Sequence, residues 1–176
     1  MISNYKEFAN FYNYIFLILN GVFNKKIYLH KSKVGGGFYM TTNTRQNMTN
    51  SIKEIVVPYL REHGFKGSFP HFRRQHEDYI DLITFQFNRY GGSFVVELAI
   101  CPADGVTTSW GEEIPPNKVT AHDVSERHRL SENENDPAFD WFVYEEAKSK
   151  EDYDIVATKV KNLLRISDVN WIKNLF

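Results

Sequence analysis

Five side chains able to move protons or hold a charged ligand fall into one alternating pattern: His71 and Arg73, Thr84 and Gln86, and Glu97. If the segments that carry them are strands, a period of two puts all five on the same sheet face. A histidine, a carboxylate and an arginine converging there can do general acid–base work or bind an anionic group. His71 and Glu97 are then the candidate catalytic residues, and Arg73, Thr84 and Gln86 the candidate ligand-binding ones. The plainer account is a solvated face, which antiparallel sheets commonly keep and which polar cross-strand pairs stabilise by ~0.2–1 kcal/mol. The spacing matches no catalytic motif, so the solvated face is the favoured account. It predicts that Glu97→Ala costs little stability.

Other chemistries have weaker footing. His122-Asp123 and Glu126 with His128 invite a metal, with a further ligand from Glu112 or Glu113. The two histidines are six apart, which is not the spacing of one helical face, and His71 and His76 are five apart, which puts them on opposite faces of a strand. No metal site and no cofactor are expected. Ser109 lacks the G-x-S-x-G surroundings of a nucleophile elbow. Cys101 ends an apolar run and reads as a small buried hydrophobe. Gly35–Gly37 precedes no strand–helix unit with a following Lys-Ser/Thr, so no phosphate loop is present. Arg73, Arg74 and Arg89 with Phe72 and Tyr90 have the types that stack on single-stranded nucleic acid. Glu77, Asp78 and Asp81 nearby make local salt bridges the better explanation.

Composition bounds these readings. The chain has 176 residues, 21 Lys and Arg against 22 Asp and Glu, and a formal net charge of −1. That balance argues against a general nucleic-acid or anionic-membrane binder, and 42% hydrophobic with 24% charged residues rules out wholesale disorder. The length suits one domain. A single cysteine excludes an internal disulfide and fits a reducing compartment, so the expected location is cytoplasmic.

The elements that must position the five residues are legible. Ser51-Ile52-Lys53-Glu54 has the form of a capping box. Ile52, Ile55, Val56, Tyr59, Leu60 and His63 then follow at helical spacing, with His63-Gly64 as C-cap and Pro58 as a kink. A strand over 69–76 turns at Glu77-Asp78, setting Phe72 opposite Ile83, Arg74 opposite Asp81 and His71 opposite Thr84. Strands over 79–90 and 93–101 meet at Gly91-Gly92, read as a two-residue turn. That turn sets Ile83 opposite Ile100, Phe85 opposite Leu98 and Phe87 opposite Val96 on the core face, with Gln86 opposite Glu97 on the other. Ile80 and Leu82 are out of phase, so a bulge or a second covered surface begins there.

Residues 102–118 read as a long loop broken by Pro115-Pro116, 119–130 as a short helix or irregular strand, and 131–137 as an acidic loop. Residues 141–144 read as a fourth strand. Residues 149–165 read as a helix burying Val156, Val160, Leu163 and Leu164, and 168–176 as a terminal helix offering Trp171, Ile172 and Leu175. The expected fold is α+β: a small antiparallel meander with a kinked N-terminal helix and C-terminal helices packed on one face.

The first 39 residues differ in composition, since 24 of them are Phe, Tyr, Asn, Ile or Lys, types that AT-rich codons specify. The apolar run 11–23 is too short for a membrane span of ~20 residues and contains Asn13 and Asn20. The codons of Gly35–Gly37 can spell a purine-rich ribosome-binding sequence just before Met40. Residues 1–39 are therefore read as an extension absent from the natural product, with translation starting at Met40, residues 40–176 as one α+β domain, and no membrane association on that start.

The order of features also resembles a known family. A helix ending in Leu60-Arg61-Glu62-His63-Gly64-Phe65-Lys66 leads to His71-Phe72-Arg73-Arg74, then to a strand with Gln86 near its end and a Val-rich strand. Arg127-x-Arg129-Leu130 precedes Trp141-Phe142, and a Trp-containing helix closes the chain. From Ser51 to Phe176 this resembles the bacterial family catalogued as domain of unknown function 4304. The resemblance implies a compact α+β domain and supplies no catalytic residues. With no competent site in view and with Trp110, Trp141 and Tyr144 available for contacts, the first expectation is a non-enzymatic bacterial domain that binds a protein or peptide partner and no nucleic acid. An immunity or defence role is one version of it. The alternative is a small hydrolase or ligand-binding enzyme using His71, Gln86 and Glu97. Topography separates the two: a covered face with a cleft around Glu97 favours the enzyme, and a flat, wet face favours binding.

Overall fold

Helix α1 spans Thr42–Glu62 and begins nine residues before the expected start. Met48, Ile52, Val56 and Leu60 recur every four residues and are all buried, so the apolar stripe already exists one turn before Ser51. Ser51 is accordingly no N-cap: it is buried inside the helix, while Glu54 pairs with Lys150 of the second helix at 2.9 Å. Pro58 lies within α1 and leaves the Glu54 carbonyl without an intrahelical donor. The helix ends on Gly64 at φ +83, with Phe65 N–H bonded to Leu60 C=O at 2.9 Å and Gly64 N–H to Arg61 C=O at 3.1 Å. This is a Schellman cap, and its hydrophobic contact is Leu60 with Phe65 in one core. The computed structural model describes residues 42–133, 136 and 140–170. The expectations for residues 1–39, for a start at Met40 and for Trp171, Ile172 and Leu175 lie outside them.

The reciprocal cap occurs on α2, Lys150–Asn170. Ser149 Oγ accepts the Asp152 N–H at 3.3 Å, and the Asp152 carboxylate accepts the N–H groups of Lys148 and Ser149, both at 2.9 Å. These bonds hold the Asp152 carboxyl below the usual carboxylate range. Val160 and Leu164 are buried as expected, with Val156 and Leu163 packed at the margin.

Among the described residues eight strands follow α1, in the order β1 Lys66–Ser68, β2 His71–Gln75, β3 Tyr79–Phe87, β4 Ser93–Pro102, β5 Val106–Thr107, β6 Glu113–Ile114, β7 Arg127–Arg129 and β8 Phe142–Val143. β1 to β4 form an antiparallel meander, β7 and β8 both pair with β4, and β5 with β6 makes a separate hairpin. This is the expected α+β arrangement. β1 has no apolar alternation to announce it in the sequence; it closes on β2 through a two-residue turn at Phe69-Pro70, whose peptide bond is cis. Leu130 N–H bonds Val96 C=O at 2.9 Å, so β7 reaches β4 position 96, and β8 resumes at position 94. β7 and β8 thus pair in turn with the same edge of β4.

The β2–β3 register is the expected one, with His71 opposite Thr84, Phe72 opposite Ile83 and Arg74 opposite Asp81. The β3–β4 register differs by two residues: Thr84 faces Glu97, Phe85 faces Val96 and Phe87 faces Phe94. The cause is Asn88. Its Oδ1 accepts the Tyr90 N–H at 2.9 Å and its carbonyl accepts Gly91 N–H at 3.0 Å, which starts the turn at Asn88. Gly91 and Gly92, at φ +87 and +76, close a four-residue loop instead of forming the whole turn. A two-residue shift returns every side chain to its own face, so the assignment of faces survives the error in register.

On one face Phe72, Ile83, Phe85, Phe94, Val96 and Leu98 pack under α1 and α2, joined by Phe142 and Tyr144. The opposite face is not solvated as expected. Ile80, Leu82, Ala99 and Cys101 are covered by Val119 and Ala121, with Val106, Ile114 and Val124 at the margin. The phase change at Ile80 and Leu82 marks this second core and not a bulge, since the β2–β3 and β3–β4 ladders run through both residues unbroken. The segment 119–130 supplies both expected forms, a 3₁₀ turn at Ala121–Asp123 and strand β7.

Candidate functional site

The second face carries the five residues singled out by their spacing, but they do not form one group. Thr84 is fully buried and central: its Oγ1 accepts the Ala121 N–H at 3.3 Å and lies 3.1 Å from His71 Nδ1. One hydroxyl therefore ties β3 to the 3₁₀ turn and orients the His71 ring. Burial lowers the pKa of His71 below its ordinary value, and the neighbouring His122 and Arg73 add to this against Asp123. The two imidazoles meet edge to face at 5.9 Å. Arg73 sits opposite Leu82, with its Nε buried and unpaired. Gln86 lies opposite Val95, is exposed, and is not the cross-strand partner of Glu97.

Glu97 is the hub. Its side chain is 3% exposed, with His122 Nδ1 3.0 Å and Arg127 Nε 3.2 Å from Oε2, and Arg129 Nε 3.9 Å from Oε1. Oε2 nevertheless has no aligned hydrogen bond, so these are charge contacts more than directed bonds. The expectation that Glu97 sits on a wet face and is cheaply removed is overturned by this burial: a cation cluster would lose its counter-charge. His122 reaches Glu97 from the 3₁₀ turn, whose start is held by Asp123 Oδ2 accepting from both the N–H and the hydroxyl of Thr120 at 2.8 Å. Arg127 Nη1 also donates to the Val124 carbonyl at 3.1 Å, tying β7 back to that turn.

Arg129 is held more loosely. Its guanidinium lies 3.9 Å from Asp140 and stacks on Trp141, 5.7 Å from the ring centroid. The sequence alone assigns Arg127 and Arg129 no role. Their spacing of two does put both on one face of a strand, but only the β4–β7 pairing sets Arg129 opposite Glu97 and Arg127 opposite Ala99.

The remaining candidates are dispersed. His128 is exposed opposite Leu98, and His76 pairs with Asp81 at 2.8 Å on the other face. Among the described residues no group of three or more His, Cys, Asp or Glu is placed to hold a metal ion. Ser109 lies in the exposed turn between β5 and β6. Burial, with Asp104 adding, pushes the Cys101 thiol up to about 11, the condition of an unreactive thiol. Of the three aromatics considered for contacts, Tyr144 belongs to the core at 2% exposure, Trp141 supports Arg129, and Trp110 stands 76% exposed in the β5–β6 turn. Among the described residues no helix is long and apolar enough to cross a membrane.

No curated protein and no solved structure shows a significant match to the chain. A family model described as domain of unknown function (DUF4304) matches residues 56–174, which takes in every strand and the whole Glu97 cluster. The chain belongs to the DUF4304 family.

Proposed function

We propose that this protein is a non-enzymatic binding domain for a protein or peptide partner, and that contact is made by the cationic rim around Glu97. The observation that carries this reading is a contrast in exposure: Glu97 is 3% exposed, while the His122, Arg127 and Arg129 side chains around it are 40–41% exposed. A general base must be reachable by its substrate, and a carboxylate 3% exposed behind His122, Arg127 and Arg129 offers little access. What it can do is gather two arginines and an imidazole, from two elements, at one place on the surface, with Arg127 also tied to the Val124 carbonyl. An arginine already drawn to this rim, as Arg127 is, loses less side-chain entropy on meeting a partner's carboxylate, which favours binding. Trp110, exposed and set in a short hairpin, is a second contact of the kind interfaces use.

Native mass spectrometry of the protein, tagged at its C-terminus and captured from its own cells, tests the reading. A stoichiometric protein or peptide partner, lost in Arg129→Ala, is the expected result. A bare protein, or one carrying a small molecule, would contradict it. The enzyme reading keeps one observation, the Glu97–His122 contact at Nδ1, which is how a carboxylate orients an imidazole for proton transfer. A purified protein carrying a small molecule that is released by His122→Ala would favour it.

A further inference from the structure

We infer that the free edge of β7 is the docking line for an extended acidic segment of the partner, which joins the sheet as an added strand. This rests on the binding reading above and names its partner class. In an antiparallel ladder, hydrogen-bonded and non-bonded pairs alternate. The Leu130–Val96 bond therefore makes His128–Leu98 a bonded pair, and turns the N–H and C=O groups of Arg127 and Arg129 away from β4. All three β7 residues are exposed, and all three are basic: Arg127, His128 and Arg129.

The opposite edge of the sheet is different. Residues 65 and 67 turn their carbonyls outward there, and the Arg61 guanidinium already occupies both, with Nη1 2.8 Å from Phe65 O and Nη2 on Gly67 O. β1 is thus blocked by the protein's own side chain, whereas among the described residues β7 has no such cover.

The side-chain chemistry selects the partner. A residue placed directly opposite Arg127 or Arg129 in a new antiparallel pairing points its side chain to the same face as those arginines. Arg129, 3.9 Å from both Glu97 and Asp140, has donors that neither carboxylate engages within hydrogen-bond distance. Acidic residues at alternate positions would meet this guanidinium while their backbone pairs with β7, a form of strand addition in which main-chain bonds give affinity and alternate side chains give specificity. Basic side chains also guard edges against indiscriminate pairing. Such guarding repels other basic or apolar strands and leaves acidic ones admissible.

The probe is a short synthetic peptide alternating glutamate and threonine, added to the isotopically labelled full chain and followed by NMR. Binding should slow amide exchange of Arg127 and Arg129 by roughly tenfold or more. N-methylation of the glutamates should abolish binding, because those residues bond to β7, whereas N-methylation of the threonines should leave it intact. Arg129→Ala should weaken binding, and a lysine–threonine peptide should not bind. Equal binding of both methylated peptides, or binding without protection at Arg127 and Arg129, would overturn strand addition while leaving a charge-based contact. Absence of peptide binding, with a protein partner still captured from cells, would overturn the inference alone. A bare protein from cells would remove the reading beneath it.

Discussion

Two buried carboxylates, one on each face of the sheet, do different work. Asp81 lies on the helix-covered face, and its Oδ2 receives Arg74 Nε and His76 Nε2, each at 2.8 Å. Those partners are 20% and 32% exposed, and Arg74 also packs over the Phe65 ring at 4.7 Å. Glu97, equally buried, faces one imidazole and two guanidinium groups at 3.0 to 3.9 Å that stand twice as far into solvent as Arg74 does. Burial alone therefore does not mark a site. A short, saturated contact between half-hidden partners holds the β2–β3 hairpin together. A looser cluster with a sealed centre and an open rim leaves guanidinium donors facing solvent, as the proposed contact requires.

The sharpest way to break this comparison is to remove each carboxylate. Asp81→Ala strands Arg74 and His76 in a partly buried place and should cost about 3 kcal/mol in chemical denaturation. Glu97→Ala should cost less, about 1–2 kcal/mol, because its partners can swing into water. Equal losses would mean that both clusters are structural. The cations should follow the same order. Arg74→Ala is expected to cost about 2 kcal/mol through its bond and its packing on Phe65, whereas Arg129→Ala should stay within about 0.5 kcal/mol.

Acidity sharpens the contrast further. His71 titrates below its ordinary 6.5 in the folded protein, chiefly through burial. As pH falls through 6.5 the unfolded chain takes up this proton first, so the contribution of His71 is intact above pH 6.5 and is lost between 6.5 and the lower folded value. Melting temperatures of the wild type and His71→Gln, followed from pH 7.5 to 5, should show a shallower acid decline in the variant. Parallel curves would remove His71 from the coupled cluster. The smallest effect is expected at Trp110→Ala, where a change of stability within about 0.5 kcal/mol would agree with a side chain exposed for contact alone.

How much of this could be read beforehand depended on distance along the chain. The β2–β3 register follows from a turn two residues long and from Phe72 and Ile83 sharing a face, so it was legible. The β3–β4 register slipped by two because Asn88 begins the turn through its own side chain, a local choice that the adjacent glycines masked. The start of α1 was placed too late because a polar stretch hid Met48, whose burial depends on α2 and the sheet. Of the site, the shared face of His71, Arg73, Thr84, Gln86 and Glu97 was legible, since it needs only strand alternation. Its cover was not: 102–124 folds onto Ile80, Leu82 and Ala99 by contacts that no periodicity reports.

Alternation of apolar residues, glycine at Gly64 and the apolar stripes of the two helices are local properties, and they determined the α+β class and the two faces of the sheet. The partners of Glu97 come from residues 25 to 32 positions later, on a turn and an edge strand whose own sequences do not demand that place. Only the closed tertiary structure decided that Glu97 is a sealed hub, that Arg129 stays half free on Trp141, and that one sheet edge is blocked by Arg61 while the other has no such cover among the described residues. Each depends on where separate segments meet in space, and the free energy of that meeting belongs to no segment alone.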